Sequence, residues 1–265
     1  MKKLGTVPFL NSQPLTYSFD NNYIDNYQTS NYFPSSLLQP LVDKEVFLSL
    51  LSIADHLSTT NTISLENYCI SSYGKVDSVL LVSKSKLKEI DTIVQDSRSK
   101  SSNILFRVIQ EAFLKTKVEY CVGSPTLGMD IKNNTGYIVI GDLSLEMLSS
   151  SPSGIKTYDL GEIWYQETGL PFTFGTYNYI YESPSKFELD CLKSSYENGS
   201  KSTNKIIDNF LIKTGYNIDK KLAQQYLEEK IYYKIEKEHI EGINLFANLS
   251  SKFANWQKNS FNKKI

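Results

Sequence analysis

The sequence predicts an α/β fold with largely parallel sheets. Two observations predict it. Short apolar, often β-branched runs alternate with segments of helical periodicity along most of the chain. The composition is that of a globular protein: of 265 residues, 40 % are apolar and 22 % charged, and nowhere do about 18 apolar residues run together to span a membrane. The length fits one to two domains.

Residues 4–9 read as a short buried strand. Pro14 stands where a first-turn proline starts a helix, here running to Phe19. Residues 20–32, rich in Asn and Tyr, read as a polar loop. Ser35 or Ser36 caps a helix carrying Leu37, Leu38, Leu41 and Val42, its regularity limited by Pro40. Residues 46–51, 68–72 and 78–83 read as strands, the last with a β-branched, apolar centre. After a charged stretch over 84–89 comes a strand over 92–95. Ile104, Leu105, Val108, Ile109, Ala112 and Phe113 share one helical face. Residues 118–122 form a strand, Ser124-Pro125 opens a helix, and the strand over 136–140 stops at Gly141-Asp142. A helix to Leu148, a linker over 149–154 and a long strand over 172–181 follow. From Pro184 onward the pattern is mainly helical, with stops at Gly199 and Gly215 and a strand-like interruption over 231–235. Ile240, Ile243, Leu245, Phe246 and Leu249 mark the last helix.

Charge and residue usage exclude several functions. Lys and Arg total 28 against 29 Asp and Glu, a net charge of −1, so no global field favours nucleic acid or anionic membrane. Cys69, Cys121 and Cys191 lie far apart without a C-x-x-C and read as buried, reduced thiols. With only His56 and His239, most multi-histidine metal sites are excluded. P-loop, dinucleotide-binding glycine and G-x-S-x-G patterns are missing. Gly5, Thr6 and Pro8 interrupt the apolar stretch after the two initial lysines. It is too short for a secretory signal, and a cytoplasmic address is expected.

Five segments stand out. In Pro8-Phe9-Leu10-Asn11-Ser12-Gln13-Pro14-Leu15 an apolar strand ends on Asn11, which offers a donor and an acceptor; as a turn or cap residue it would be routine. In Gly74-Lys75-Val76-Asp77-Ser78-Val79, Ser78 starts a strand after a glycine turn, a place for an ordinary strand hydroxyl as well as a reactive one. Asp96-Ser97-Arg98-Ser99-Lys100-Ser101-Ser102 leads into the amphipathic helix. One Ser would suffice as a cap, whereas four serines and two cations also fit an anion site on the helix N-terminus. Ile140-Gly141-Asp142 ends a buried strand, with Asp a common helix cap. The stretch from Asp159-Leu160-Gly161 through Thr168-Gly169-Leu170-Pro171-Phe172 reads as a helix and a turn into a strand, with no spacing that demands chemistry.

In this order the five segments resemble the chorismate dehydratases of the futalosine-type menaquinone pathway, relatives of periplasmic solute-binding proteins. Phe9-Leu10-Asn11 with Pro14-Leu15 is similar to the family's "YLN-x-x-PL" box. Gly74, Val76, Ser78 and Val79 match "G-x-V-x-SV", and Ile140-Gly141-Asp142 matches "IGD". Asp159-Leu160-Gly161, Trp164 and Thr168-Gly169-Leu170-Pro171-Phe172 resemble the family's "DLG…W…TGLPF" box. Tyr226-Leu227 with Ile231-Tyr232-Tyr233, and Gly242 with Phe246, extend the resemblance over nearly the whole chain. Two departures stand out. Lys100 replaces the Arg of "SRTS", losing its planar fork, and Leu50-Leu51-Ser52 stands where the family has Val-Pro-Ser.

The resemblance implies a two-lobed, periplasmic-binding-protein-like (type II) fold with a cleft between the lobes. Residues 1–83 plus 178–265 would form one lobe and 84–177 the other. It implies a lyase that dehydrates chorismate to 3-[(1-carboxyvinyl)oxy]benzoate, needing neither redox cofactor nor metal. Asn11 and Ser78 would be the catalytic pair, with Ser52, Ser101, Ser102, Gly141 and Asp142 binding substrate. The base that removes the ring proton would be the substrate's own enolpyruvyl carboxylate or Asp142. Two other readings remain open at this point. One is a cytoplasmic small-carboxylate binding protein without catalysis. The other is the related enzyme that forms 1,4-dihydroxy-6-naphthoate, which carries a histidine where Gly141 stands. The expected partner is a small molecule, with neither nucleic acid nor membrane.

Overall fold

The first apolar run becomes β1 (Lys2–Thr6) in the computed structural model, which describes residues 1–256. Pro14 stands in the first turn of α1 (Gln13–Asp20), as its fixed φ favours. β2 (Tyr27–Asn31), α2 (Leu38–Val42), β3 (Leu48–Ser52), α3 (Ile53–Ser58) and β4 (Ile63–Ser72) follow. A turn over 73–78 leads to β5 (Val79–Ser83), β6 (Thr92–Asp96) and α4 (Lys100–Val108), which continues as a π-helical turn to Leu114. Next come β7 (Glu119–Gly123), β8 (Thr135–Ile140), α5 (Asp142–Ser150), β9 (Lys156–Asp159) and α6 (Leu160–Thr168). The chain returns through β10 (Phe172–Tyr179) to α7 (Lys186–Ser200), α8 (Thr203–Thr214), α9 (Lys220–Gln225), β11 (Tyr232–Lys234) and α10 (Lys237–Ser250).

Two sheets result, in strand order β11-β4-β10-β3-β1-β2 and β7-β6-β8-β5-β9. Both are mixed rather than largely parallel. β1 runs parallel to β2 and β3, and β6 parallel to β7 and β8. The strands next to the crossings run the other way: β10 is antiparallel to β3 and β4, and β5 to β8 and β9. A chain that leaves one sheet and returns to it enters the second time from the opposite end. β5 thus belongs to the second sheet and β10 to the first. The changeovers fall over 73–78 and 169–171, not at 83/84 and 177/178.

Other expectations shift as well. Residues 124–134 hold turns and no helix, and Cys121 is exposed on the edge strand β7, whereas Cys69 and Cys191 are buried. The predicted helix over 104–113 and the strands around 79–83, 92–95 and 136–140 are found where the pattern put them.

The segment between Asp159 and Phe172 is core. Trp164 is fully buried and meets Phe172 edge-on at 5.5 Å and Phe246 at 6.2 Å. Such pairs add about 0.5–1.5 kcal/mol each to the area they bury. Gly242 of α10 lies against the Pro171 carbonyl so closely that a Cβ would overlap it. That packing ties the strand returning to the first sheet to the last helix.

Candidate active site

Between the sheets lies a cleft, the concave kind of site in which small molecules bind. Asn11, Ser52, Ser78, Ser99, Ser101 and Ser102 supply its polar lining. Phe9, Leu50, Ile70, Val79, Ile140 and Phe174 supply much of its apolar wall. Among the described residues, none that lines it is Asp, Glu, His, Lys or Arg.

Asn11 reaches the cleft because the chain tightens after β1. The Ser12 hydroxyl donates to the carbonyls of Val7 (2.7 Å) and Phe9 (2.9 Å), closing a 3-10 turn over Leu10–Ser12 just before α1. Asn11 Nδ2 donates to the Tyr226 hydroxyl at 2.9 Å, and its Oδ1 is buried with no hydrogen-bond partner among the described residues. Tyr226 is a site residue that spacing could not reveal, 215 positions away in sequence.

Ser78 is placed by a strained turn. Gly74 has φ of +89° and Asp77 +61°. The Asp159 carboxylate holds the turn, accepting from Val76 N–H (3.0 Å) and Asp77 N–H (2.6 Å). Its other oxygen accepts from Glu162 N–H at 3.0 Å, capping α6. Burial pushes Asp159 up to about 6 even with these donors present. Gly161, two residues on, packs against the Gly74 carbonyl, where a Cβ would come within 2.7 Å. The box that seemed free of chemistry thus braces the box that carries Ser78.

Gly141 closes the cleft from the second sheet. Gly141 has φ of +67° and ψ of −146°, a region almost reserved for glycine. A Cβ there would stand 2.8 Å from the Phe9 ring. Its N–H donates to the Ser78 carbonyl at 2.8 Å. Asp142 does not line the cleft. Its side chain is buried behind Leu10, whose N–H donates to Oδ1 at 3.0 Å. Burial raises its carboxyl to about 7, against the pull of the Leu10 amide.

The serines divide their work. Ser52 caps α3: Oγ accepts from Asp55 N–H (3.2 Å) and donates to Asp55 Oδ2 (2.8 Å). Ser99, not Ser101 or Ser102, caps α4, accepting from Ser102 N–H at 3.2 Å and donating to Ser102 Oγ at 2.9 Å. Ser102 therefore keeps its own proton to give. Ser101 Oγ accepts from Ala54 N–H at 3.0 Å, bridging the first turns of α3 and α4 across the cleft. The two cations of this segment are engaged elsewhere. Arg98 forks onto the buried Asp96 (2.8 and 2.6 Å), and Lys100 reaches Ser58 Oγ (2.8 Å) and Asp55 (3.5 Å). Among the described residues, what remains to donate toward the cleft is the hydroxyl protons of Ser101 and Ser102, whose oxygens only accept within the protein. Among the described residues no group of three or more His, Cys, Asp or Glu could hold a metal ion, and no helix is long and apolar enough to cross a membrane.

Comparison with known proteins agrees with this layout. A family model described as menaquinone biosynthesis matches residues 2–252. The chorismate dehydratase of Thermus thermophilus is 24 % identical over 261 residues, covering 92 % of this chain and 93 % of the relative. That of Campylobacter jejuni is 25 % identical over 248 residues, covering 92 % and 95 %. Among solved structures, protein AF1704 from Archaeoglobus fulgidus superposes with a TM-score of 0.74 at 12 % identity, covering 95 % of this chain and 96 % of that one. The periplasmic aliphatic sulphonate binding protein SsuA from Escherichia coli gives 0.67 at 12 %, covering 100 % and 91 %. At such identities the structural likeness is one of fold: two lobes around a cleft, as in periplasmic binding proteins.

Proposed function

The chain belongs to the menaquinone biosynthesis family, and from that premise we propose that it dehydrates chorismate to 3-[(1-carboxyvinyl)oxy]benzoate. The observation that carries the proposal is the neutrality of the cleft lining. Chorismate brings two carboxylates, a ring hydroxyl and a diene ring. In the first turn of α4, Ser101 and Ser102 keep hydroxyl protons to give to a carboxylate, with Ser52 beside them in the lining. Phe9, Ile70 and Phe174 offer an apolar bed for the ring.

The reaction removes a proton from ring C3 and hydroxide from C4. The product ring is aromatic, so the driving force lies in the substrate. The protein must hold the ring, keep water out and orient the departing hydroxyl. Asn11 and Ser78 do the last of these in this reading. A protein base is not at hand, since Asp142 lies behind Leu10. The substrate's own enolpyruvyl carboxylate then takes the C3 proton, held against the ring by the hydroxyls of Ser101 and Ser102. A lining carboxylate would instead repel both substrate carboxylates.

The test is to mix purified protein with chorismate and follow ultraviolet absorbance and product mass. A product lighter by one water, with an aromatic spectrum, supports the proposal. Chorismate that binds and stays unchanged at saturating protein refutes it and leaves a binding protein.

A further inference from the structure

We propose that Tyr226 is a positioning residue for this dehydration, its buried hydroxyl joining Asn11 to Ser78 and fixing which way each faces the cleft. The inference rests on the functional reading above and adds a third residue to its catalytic pair. Tyr226 lies in the π-helical turn that follows α9 and is 1 % exposed. Its hydroxyl accepts from Asn11 Nδ2 at 2.9 Å. The Ser78 side chain stands beside the same hydroxyl and lines the cleft with Asn11. Residues from three distant parts of the chain thus meet at one oxygen.

The directions of these bonds follow from proton counting. A phenol has one proton to give and can accept in return. The Asn11 amide uses the accepting side. Burial holds the Tyr226 phenol protonated far above neutrality, so it still has a proton to donate, and Ser78 Oγ is the acceptor beside it. Ser78, having accepted, turns its own proton away from Tyr226 and toward the cleft that it lines. Asn11 is oriented by the same contact. With Nδ2 committed to Tyr226, its buried and unpartnered Oδ1 is left to receive.

The cleft therefore presents one acceptor, Asn11 Oδ1, and one donor, the Ser78 hydroxyl, side by side. An alcohol fits that pair: it donates to Asn11 and accepts from Ser78. The C4 hydroxyl of chorismate is such a group, and donation from Ser78 to its oxygen favours its departure. A carboxylate, which only accepts, would leave Asn11 Oδ1 facing a like partial charge.

Tyr226→Phe removes the hydroxyl and keeps the ring. We expect kcat for chorismate to fall about tenfold or more, with KM within about threefold of the parent. In a Ser78→Ala background the same change should cost less than it does in the parent, because part of its effect runs through Ser78. The Asn11 side-chain NH2 protons, assigned by their loss in Asn11→Ala, should be slow to exchange with solvent in the ligand-free parent and fast in Tyr226→Phe. Site-specific 3-fluorotyrosine at 226 covers the case in which Phe does not fold. It keeps ring and hydroxyl, strengthens the donor, and should change kcat about twofold or more. Unchanged kcat in these variants, or a loss that multiplies fully with Ser78→Ala, overturns the inference. If the parent leaves chorismate untouched, the functional reading falls, while the exchange measurement still decides the Tyr226 contact: unchanged exchange in Tyr226→Phe overturns it.

Discussion

Replacing Asp159 by Ala tests how the turn before Ser78 is held. The change removes the acceptor of three backbone donors: Val76 and Asp77 N–H in the turn, and Glu162 N–H at the start of α6. The two turn residues are buried, so orphaning each amide costs about 1–3 kcal/mol. Losing the α6 cap adds about 1 kcal/mol. Against this stands relief of a buried carboxylate. Its pKa rises from 3.8 unfolded to about 6 folded, a burden of about 3 kcal/mol at pH 7.5. The net loss at pH 7.5 is then about 2 kcal/mol. The sign of its pH dependence follows from the raised pKa. Below the unfolded pKa the buried acid is protonated and carries no penalty; the penalty grows as pH rises toward about 6 and is complete above it. The parent therefore gains on acidification what the Ala variant cannot. The gap between them should widen by about 1 kcal/mol from pH 7.5 to pH 5. Urea unfolding at both pH values reads this directly. Because Ser78 follows the turn, kcat for chorismate should also fall about tenfold or more. A variant within about 0.5 kcal/mol of the parent at both pH values, with kcat intact, would refute the bracing role of Asp159.

Gly141→Ala forces a side chain onto a backbone at φ of +67° and against the Phe9 ring. It should cost about 1–3 kcal/mol by thermal or urea unfolding and weaken product binding, whereas an unshifted melting temperature would contradict the geometry. Ser99→Ala and Ser102→Ala should separate stability from binding. The first loses the α4 cap, about 1 kcal/mol. The second weakens product binding by about 1–3 kcal/mol with little change in unfolding, as titration calorimetry would read. Asp142→Asn keeps an acceptor for Leu10 N–H, so turnover should stay within a few-fold. It should also flatten the loss of parent stability as pH rises from 5 toward 8 through the raised pKa of about 7. A collapse in kcat with the fold intact would return Asp142 to the role of base.

Much of the fold was legible because its central strands are apolar and β-branched, as at residues 79–83 and 135–140, and because Ile104 to Phe113 keep one helical face. The missed strands β2 (YQTSN) and β9 (KTYD) are sheet edges whose residues, the buried Asp159 apart, are exposed or half-buried, so no hydrophobic alternation marks them. α3 is only six residues long, and its cap, Ser52, looked like the end of a strand. Strand direction at the crossings depends on how a chain re-enters a sheet, which no local pattern encodes.

The candidate site was legible through its boxes, and Asn11, Ser52, Ser78, Ser101, Ser102 and Gly141 all line one cleft. What escaped were partners distant in sequence. The charge of Lys100 looked available to an anion until Asp55 and Ser58, on another helix, came beside it. Asp159 stood in a segment whose spacing demanded no chemistry, because the amides of Val76 and Asp77 that it holds are more than 80 positions away. Tyr226 stood in a stretch that resembles the family, but nothing local tied it to Asn11, 215 positions away.

The central claim is that this neutral cleft dehydrates chorismate through Asn11 and Ser78. Product mass, measured side by side for the parent and Asn11→Ala at matched folding, tests it most directly. The account predicts that the parent converts chorismate to a species lighter by one water, and that Asn11→Ala, melting within a few degrees of the parent, leaves it unchanged. Chorismate untouched by the parent, or conversion by Asn11→Ala within a few-fold of the parental rate, would contradict it.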